Sequence, residues 1–232
     1  MALVKYGGGI IQMSGSIAGN TFARNRYGNY VRAKTKPVNP SSTRQQKARS
    51  YVAELVERWY SILDNAQREA WKNYADAVAM KNKLGETVKL SGFNHYIRSN
   101  TWQLDLDRTP TDDGPVIQTL PDQDGSITIS LSEATQDVTL NFNDQLEWCS
   151  EDNALLVILQ GRPQNVTRNF FAGPYRGRSA KAGAAGVPIV SPQDYASIWV
   201  VAEGQKFWVK FRIRRADGRL SQPFTASCTA GA

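Results

Sequence analysis

The chain has 232 residues, a net charge of +7 and 41% hydrophobic residues, among them six Trp, nine Tyr and eight Phe. That is enough apolar surface for one large core or two smaller ones, which excludes a chain disordered by composition. No stretch approaches the roughly 18 apolar residues of a membrane helix, and two cysteines, Cys149 and Cys228, are too few for a disulfide framework.

The charge is unevenly placed. Lys5, Arg24, Arg26, Arg32, Lys34, Lys36, Arg44, Lys47 and Arg49 all precede the first acidic residue, Glu54, so the rest of the chain is close to neutral. Such asymmetry speaks of partners: nucleic acid or an acidic protein surface. The start, Met1-Ala-Leu-Val-Lys-Tyr-Gly-Gly-Gly, lacks the apolar stretch of a secretory signal. The chain is therefore expected to stay in the cytosol until it assembles, with both thiols reduced and the Asn165-Val-Thr167 sequon unused.

Residues 1–40 read as an extended basic arm. Gly7, Gly8, Gly9, Gly15, Gly19 and Gly28 interrupt any helix. Thr21-Phe-Ala-Arg and Tyr30-Val-Arg-Ala flank Arg26-Tyr27-Gly28-Asn29, which predicts a β-hairpin with a Gly-Asn turn. Pro37 and Pro40 close the segment. Fully stretched, ~40 residues reach on the order of 130 Å. The arm has too few large apolar groups for a core of its own and should order against a partner or its own body.

Residues 41–108 predict a small helical domain. Ser42 with Gln45 fits a capping box, and Val52, Leu55, Val56, Trp59, Ile62 and Leu63 recur at helical spacing. Asp64 with Gln67 starts a second helix carrying Ala70, Trp71, Tyr74, Ala75 and Val78. Lys81–Gly85 reads as a loop. Ser91 caps a third helix carrying Phe93, Tyr96, Ile97 and Leu104. Arg44, Lys47 and Arg49 should face solvent.

Asp105, Asp107, Asp112 and Asp113, with Thr109-Pro-Thr, form a polar linker and the expected boundary. Residues 115–232 then alternate as strands: Ile127, Ile129 and Leu131; Val138, Leu140 and Phe142; the buried run Leu155–Leu159; Ile198–Val201; Phe207, Val209, Phe211 and Ile213; and a last strand near Phe224. Ala216-Asp-Gly-Arg is a tight turn, and Gly173–Val187 an exposed loop. The fold class is α+β: arm, helical bundle and an antiparallel β-sandwich of immunoglobulin or fibronectin-III type.

Little catalytic chemistry is visible. His95 is the only histidine and sits within the third helix's pattern. One His and two distant Cys assemble no zinc set, and the aspartate run does not follow EF-hand spacing. Gly15-Ser-Ile-Ala-Gly-Asn lacks the Gly-Lys-Ser/Thr ending of a phosphate loop. No cofactor, metal or enzyme activity is expected. Trp148, Trp199 and Trp208 would be stacking platforms if the sandwich bound or cleaved glycan, Trp208 being the one on the face opposite Phe207 and Phe211.

The expected binding set is in the arm: Phe22, Arg24, Arg26, Tyr27, Tyr30, Arg32, Lys34 and Lys36. Cations interleaved with aromatics suit a strand lying on an acidic protein neighbour, or one following a nucleic-acid backbone, or no more than a solvated tail.

Gly15-Ser-Ile-Ala-Gly-Asn, Arg24-Asn-Arg-Tyr-Gly-Asn-Tyr-Val-Arg, Lys36-Pro-Val-Asn-Pro-Ser-Ser-Thr-Arg-Gln, Trp59 and Asp64-Asn-Ala-Gln-Arg-Glu-Ala-Trp-Lys-Asn-Tyr-Ala follow in close order. This succession, over roughly residues 7 to 100, resembles a group of structural proteins of tailed bacteriophages and prophage-like regions. The resemblance implies a virion component: a capsid cement or decoration subunit, or a neck or tail component. Its partners would be other virion proteins, such as major capsid or neck and tail subunits, and copies of itself. The resemblance supplies no active-site residues. The predicted sandwich is similar in kind to immunoglobulin-like modules on capsids and tails.

Overall fold

A computed structural model describes every residue except Met1, Pro37 and Lys83; at Arg178 it describes the backbone alone. The expected closure of the arm at Pro37 therefore lies outside the described residues. The chain forms two compact units, 1–97 and 98–232.

The first unit opens with a four-stranded antiparallel sheet. Its strands are β1 (Ala2–Leu3), β2 (Gly15–Ile17), β3 (Asn20–Asn25) and β4 (Gly28–Ala33), ordered β1-β4-β3-β2. The expected hairpin is β3–β4, but its turn is Arg26-Tyr27, since Asn25 pairs with Gly28. The Asn25 side chain fixes that register by accepting from the Tyr27 amide at 2.9 Å. The segment is thus not a single ribbon. A two-residue turn at Ala18-Gly19 folds β2 onto β3, and residues 4–14 bring β1 back to β4.

Two helices follow, α1 (Thr43–Ser61) and α2 (Asn65–Ala77). Asp64 forms the full capping box with Gln67, whereas Ser42 occupies the α1 cap position without a side-chain bond. The expected loop at Lys81–Gly85 starts on the last residue of β5 (Met80–Lys81) and runs on into its connection with β6 (Thr87–Val88), a short hairpin that leads to α3 (Gly92–Asp105). The core here is aromatic. Trp59 and Trp71 both meet Tyr96, at 5.3 and 5.6 Å between ring centres, and Leu55, Leu63 and Tyr74 are buried around them. Val52 and Ile62, expected on the same stripe, stay exposed. Gly92 is needed where α3 crosses α2: a Cβ there would lie 2.7 Å from the Lys72 backbone nitrogen.

The second unit is a β-sandwich. One sheet has β7 (Thr128–Leu131), β8 (Asp137–Asn141) and β11 (Gln193–Ala196), ordered β11-β8-β7; the other has β9 (Leu155–Gln160), β10 (Arg176–Ala182), β12 (Lys206–Arg214) and β13 (Phe224–Thr229), ordered β10-β9-β12-β13. This three-plus-four arrangement is of the fibronectin-III kind. Ile129, Leu131, Val138, Leu140, Ile158, Phe207, Val209 and Phe211 fill the space between the sheets. β9 is buried on both faces, Leu156 and Ile158 in the core and Leu155 and Val157 behind it, as its unbroken apolar run requires.

Three expectations are corrected. The division between units falls inside α3, not in the aspartate-rich segment, because that segment belongs to the sandwich. Thr111 exchanges two hydrogen bonds with the Asn100 side chain, at 2.8 and 2.9 Å, and accepts another from Arg214. Gly173–Val187 is not all loop, since β10 pairs with β9 through it and absorbs a register shift at Gly177, φ +61°. Ile198–Val201 forms no strand. Side chains take the place of a ladder there: Gln160 accepts from Ile198 N–H at 2.9 Å and Gln136 from Val201 N–H at 2.8 Å.

Both cysteines are free thiols, Cys149 buried and Cys228 half-buried. Burial pushes each up to about 11, helped at Cys149 by the nearby Asp144 and Asp124 carboxylates. The folded chain therefore keeps these protons after the unfolded chain has lost them. Their contribution to stability is present below the ordinary thiol range, near 9, and is lost as pH rises towards 11. Labelling with a chromogenic disulfide at pH 8 should be about 100-fold slower in the native protein than in denaturant. Equal rates would refute the shifts.

Candidate partner-binding surface

Pairing register decides which arm residues share a face, because residues opposite one another in a ladder lie on the same side. Phe22 pairs with Val31 and Arg24 with Asn29, so Phe22, Arg24 and Val31 lie together. Tyr30 pairs with Ala23 and Arg32 with Thr21, on the other side. Arg26 and Tyr27 form the tip, and Lys34 and Lys36 follow β4. The eight expected residues thus surround the sheet and are not gathered on one face. The interleaving of cations and aromatics along the strands is the reason, since each step along a strand reverses the face.

The tip end is tied to its own unit. The Asn82 amide donates to the Tyr27 carbonyl and to Glu86, each at 2.9 Å. Lys5 pairs with Glu86 at 3.4 Å. The Glu86 carboxyl is held below its usual range, chiefly by the Asn82 amide and then by Lys5. Nothing in the local sequence signals this anchor, because Tyr27 lies 55 residues from Asn82 and Lys5 is farther still from Glu86 in the chain.

The rest of the sheet is open. Among the described residues no side chain before Leu55 is buried. The side chains of Arg24, Arg26, Arg32, Lys34, Lys36 and Arg44 make no ion pair or hydrogen bond with another described residue. Every residue from Ser41 to Ser50 is exposed, so the first two turns of α1 are solvated on all sides. Arg44 stands in the first turn, which holds no acidic residue, and there it opposes the helix dipole. A negatively charged neighbour would relieve both conditions.

The other candidates are structural. His95 is buried with its ring 5.1 Å from Tyr74. No group of described His, Cys, Asp and Glu residues is placed to hold a metal. Trp148 is in the sandwich core. Trp208 does lie on the face away from Phe207, but Phe171 stacks on it at 5.7 Å and leaves it 6% exposed, so it offers a sugar no platform. The Trp199 ring is overlaid by the Arg162 guanidinium at 4.9 Å.

No protein-family model matches the chain, and no curated protein matches it. Two solved structures are similar in part. A family 76 glycoside hydrolase from a bovine Bacteroides thetaiotaomicron strain is 12% identical over 47% of this chain, with a TM-score of 0.31. This chain spans only 20% of that hydrolase. An Fn3-like protein from Clostridium thermocellum is 13% identical over 48% of this chain and 95% of its own, with a TM-score of 0.29. Likenesses this slight say nothing of activity.

Proposed function

We propose that this chain is a structural protein of a tailed-bacteriophage particle, assembled in the host cytoplasm, whose basic arm clasps neighbouring virion subunits. A capsid cement or decoration subunit, or a neck or tail component, fits this role. One observation carries the reading: six cations without partners stand on a leading segment that buries no described side chain of its own. Their pairing with acidic groups of a neighbour would be desolvated only on docking, while Phe22, Tyr27 and Tyr30 fill apolar pockets. Many weak contacts repeated by particle symmetry would then add up to firm attachment.

Deleting residues 2–36 tests this. Incorporation into purified particles should fall by about tenfold or more, because avidity multiplies each lost contact. Normal incorporation with normal particle stability would reject the role. The same unpaired cations also suit duplex DNA. If six reach phosphates, affinity for DNA should fall with salt at a logarithmic slope of about −5. A flat salt response removes the DNA reading and leaves the protein-partner one.

A further inference from the structure

The outer edge of the arm's sheet differs from the rest of the arm. β2 is the last strand of the order β1-β4-β3-β2, so one side of it is unpaired. Soluble proteins usually blunt such an edge with charge, proline or a cover. Here no charged residue and no proline occurs from Tyr6 to Ala23. Ile17, within β2, is 62% exposed, and Ile10 and Ile11, in the segment that leads into β2, are 50% and 91% exposed.

We propose that the free edge of β2 is a self-association strand, where two copies of this chain pair antiparallel about a two-fold axis at Ser16. Three observations choose a second copy over an acidic neighbour. The first is hydrogen-bond phase. The two-residue turn Ala18-Gly19 closes on the Ile17–Asn20 pair, and inward and outward bonding alternate from there. Ser16 then turns its N–H and C=O outward, where they match the same groups of a two-fold mate. Its hydroxyl is engaged sideways with Thr21 at 2.9 Å and does not block the approach.

The second is shape. Pairing centred on Ser16 sets each Ile17 opposite the partner's Gly15. A Cβ on Gly15 would meet no heavy atom within 4 Å, so there is room for the isoleucine. The third is charge. An acidic neighbour finds no cation between Tyr6 and Ala23, whereas a second copy meets no like charge there. The two Arg24 side chains would sit at least three strand spacings apart, about 14 Å or more, beyond the ~8 Å over which charges interact in physiological salt.

Sedimentation equilibrium of the full chain in physiological salt tests the pairing. A contact this small is weak, so loading should run to about 500 µM. A monomer–dimer equilibrium is expected for the natural chain. Ile17→Lys should weaken it about tenfold or more by setting two ammonium groups at the seam. Arg24→Ala, away from the seam, should leave it within about twofold. Exchange of the Ser16 amide should slow as concentration rises, a readout that needs no substitution. A chain monomeric throughout the range, an Ile17→Lys variant that dimerises normally, or a Ser16 amide blind to concentration would each overturn the proposal. It stands apart from the virion reading: a chain that dimerises yet is absent from particles sinks only the latter.

Discussion

Replacing Gly183 by alanine is expected to destabilise the sandwich by about 3 kcal/mol or more, near the upper end of overpacking costs. Gly183 follows β10, and its amide donates to the Ala154 carbonyl at 3.0 Å. A Cβ there would lie 1.9 Å from the Trp148 carbonyl oxygen and 2.9 Å from that of Glu151. Both are backbone atoms of the turn that holds buried Trp148 and Cys149, so neither can swing aside as a side chain would. Gly186, three residues on, has no heavy atom within 4 Å of its would-be Cβ and serves as the control. For a unit of this size the melting point should drop by roughly 10 °C in Gly183→Ala and hardly change in Gly186→Ala. Calorimetry on the two variants decides it, and equal melting points would show that the turn yields.

Arg214→Ala should cost about 3–5 kcal/mol, the range for removing one member of a buried polar network and leaving a cavity. Arg214 is fully buried, yet no carboxylate pairs with it among the described residues. Its guanidinium donates to the Thr111 hydroxyl at 2.8 Å, the Arg215 carbonyl at 3.1 Å and the Asn100 side chain at 3.4 Å. Gln103, with its amide oxygen turned towards it, accepts at 2.8 Å. Burial pushes the arginine down to about 10, while Asp217 and Glu151 act from further off to hold its proton. Arg214→Met keeps the stem's volume and removes the buried charge, so it should cost only about 1–2 kcal/mol for the acceptors left unmet. Denaturant midpoints of the two variants measure the difference. An Arg214→Ala cost below about 1 kcal/mol would mean that water replaces the guanidinium.

Both effects rest on residues that local pattern does not single out. Arg214 reads as an outward polar step in the alternation Phe207, Val209, Phe211, Ile213. That step is correct in direction, but the residues around Asn100 and Thr111 cover it. Gly183 sits in a stretch whose composition predicts loop, because an edge strand needs no apolar alternation of its own to pair with β9. The Asp64–Gln67 capping box was legible because both partners lie within one helical turn. So were the inward faces of β7, β8 and β12, because period-two hydrophobicity records burial directly. The basic set in the arm was legible as charge, but its distribution around the sheet was not: that depends on the β3–β4 register, which the turn at Arg26-Tyr27 sets rather than the expected Gly-Asn turn.

The sequence by itself determined the segregation of charge before Glu54, the helix starts and the core faces of the strands. These depend on neighbours within one turn or one pleat. Only the tertiary structure decided that α3 is divided between the units, that the aspartate-rich segment is bonded into the sandwich, and that the arm closes into a sheet with an uncharged edge. Each of those outcomes is a backbone hydrogen bond or a close approach between residues far apart in the chain. Which distant groups meet is fixed by the packing of the whole unit, since a buried polar group must find a partner wherever the fold supplies one.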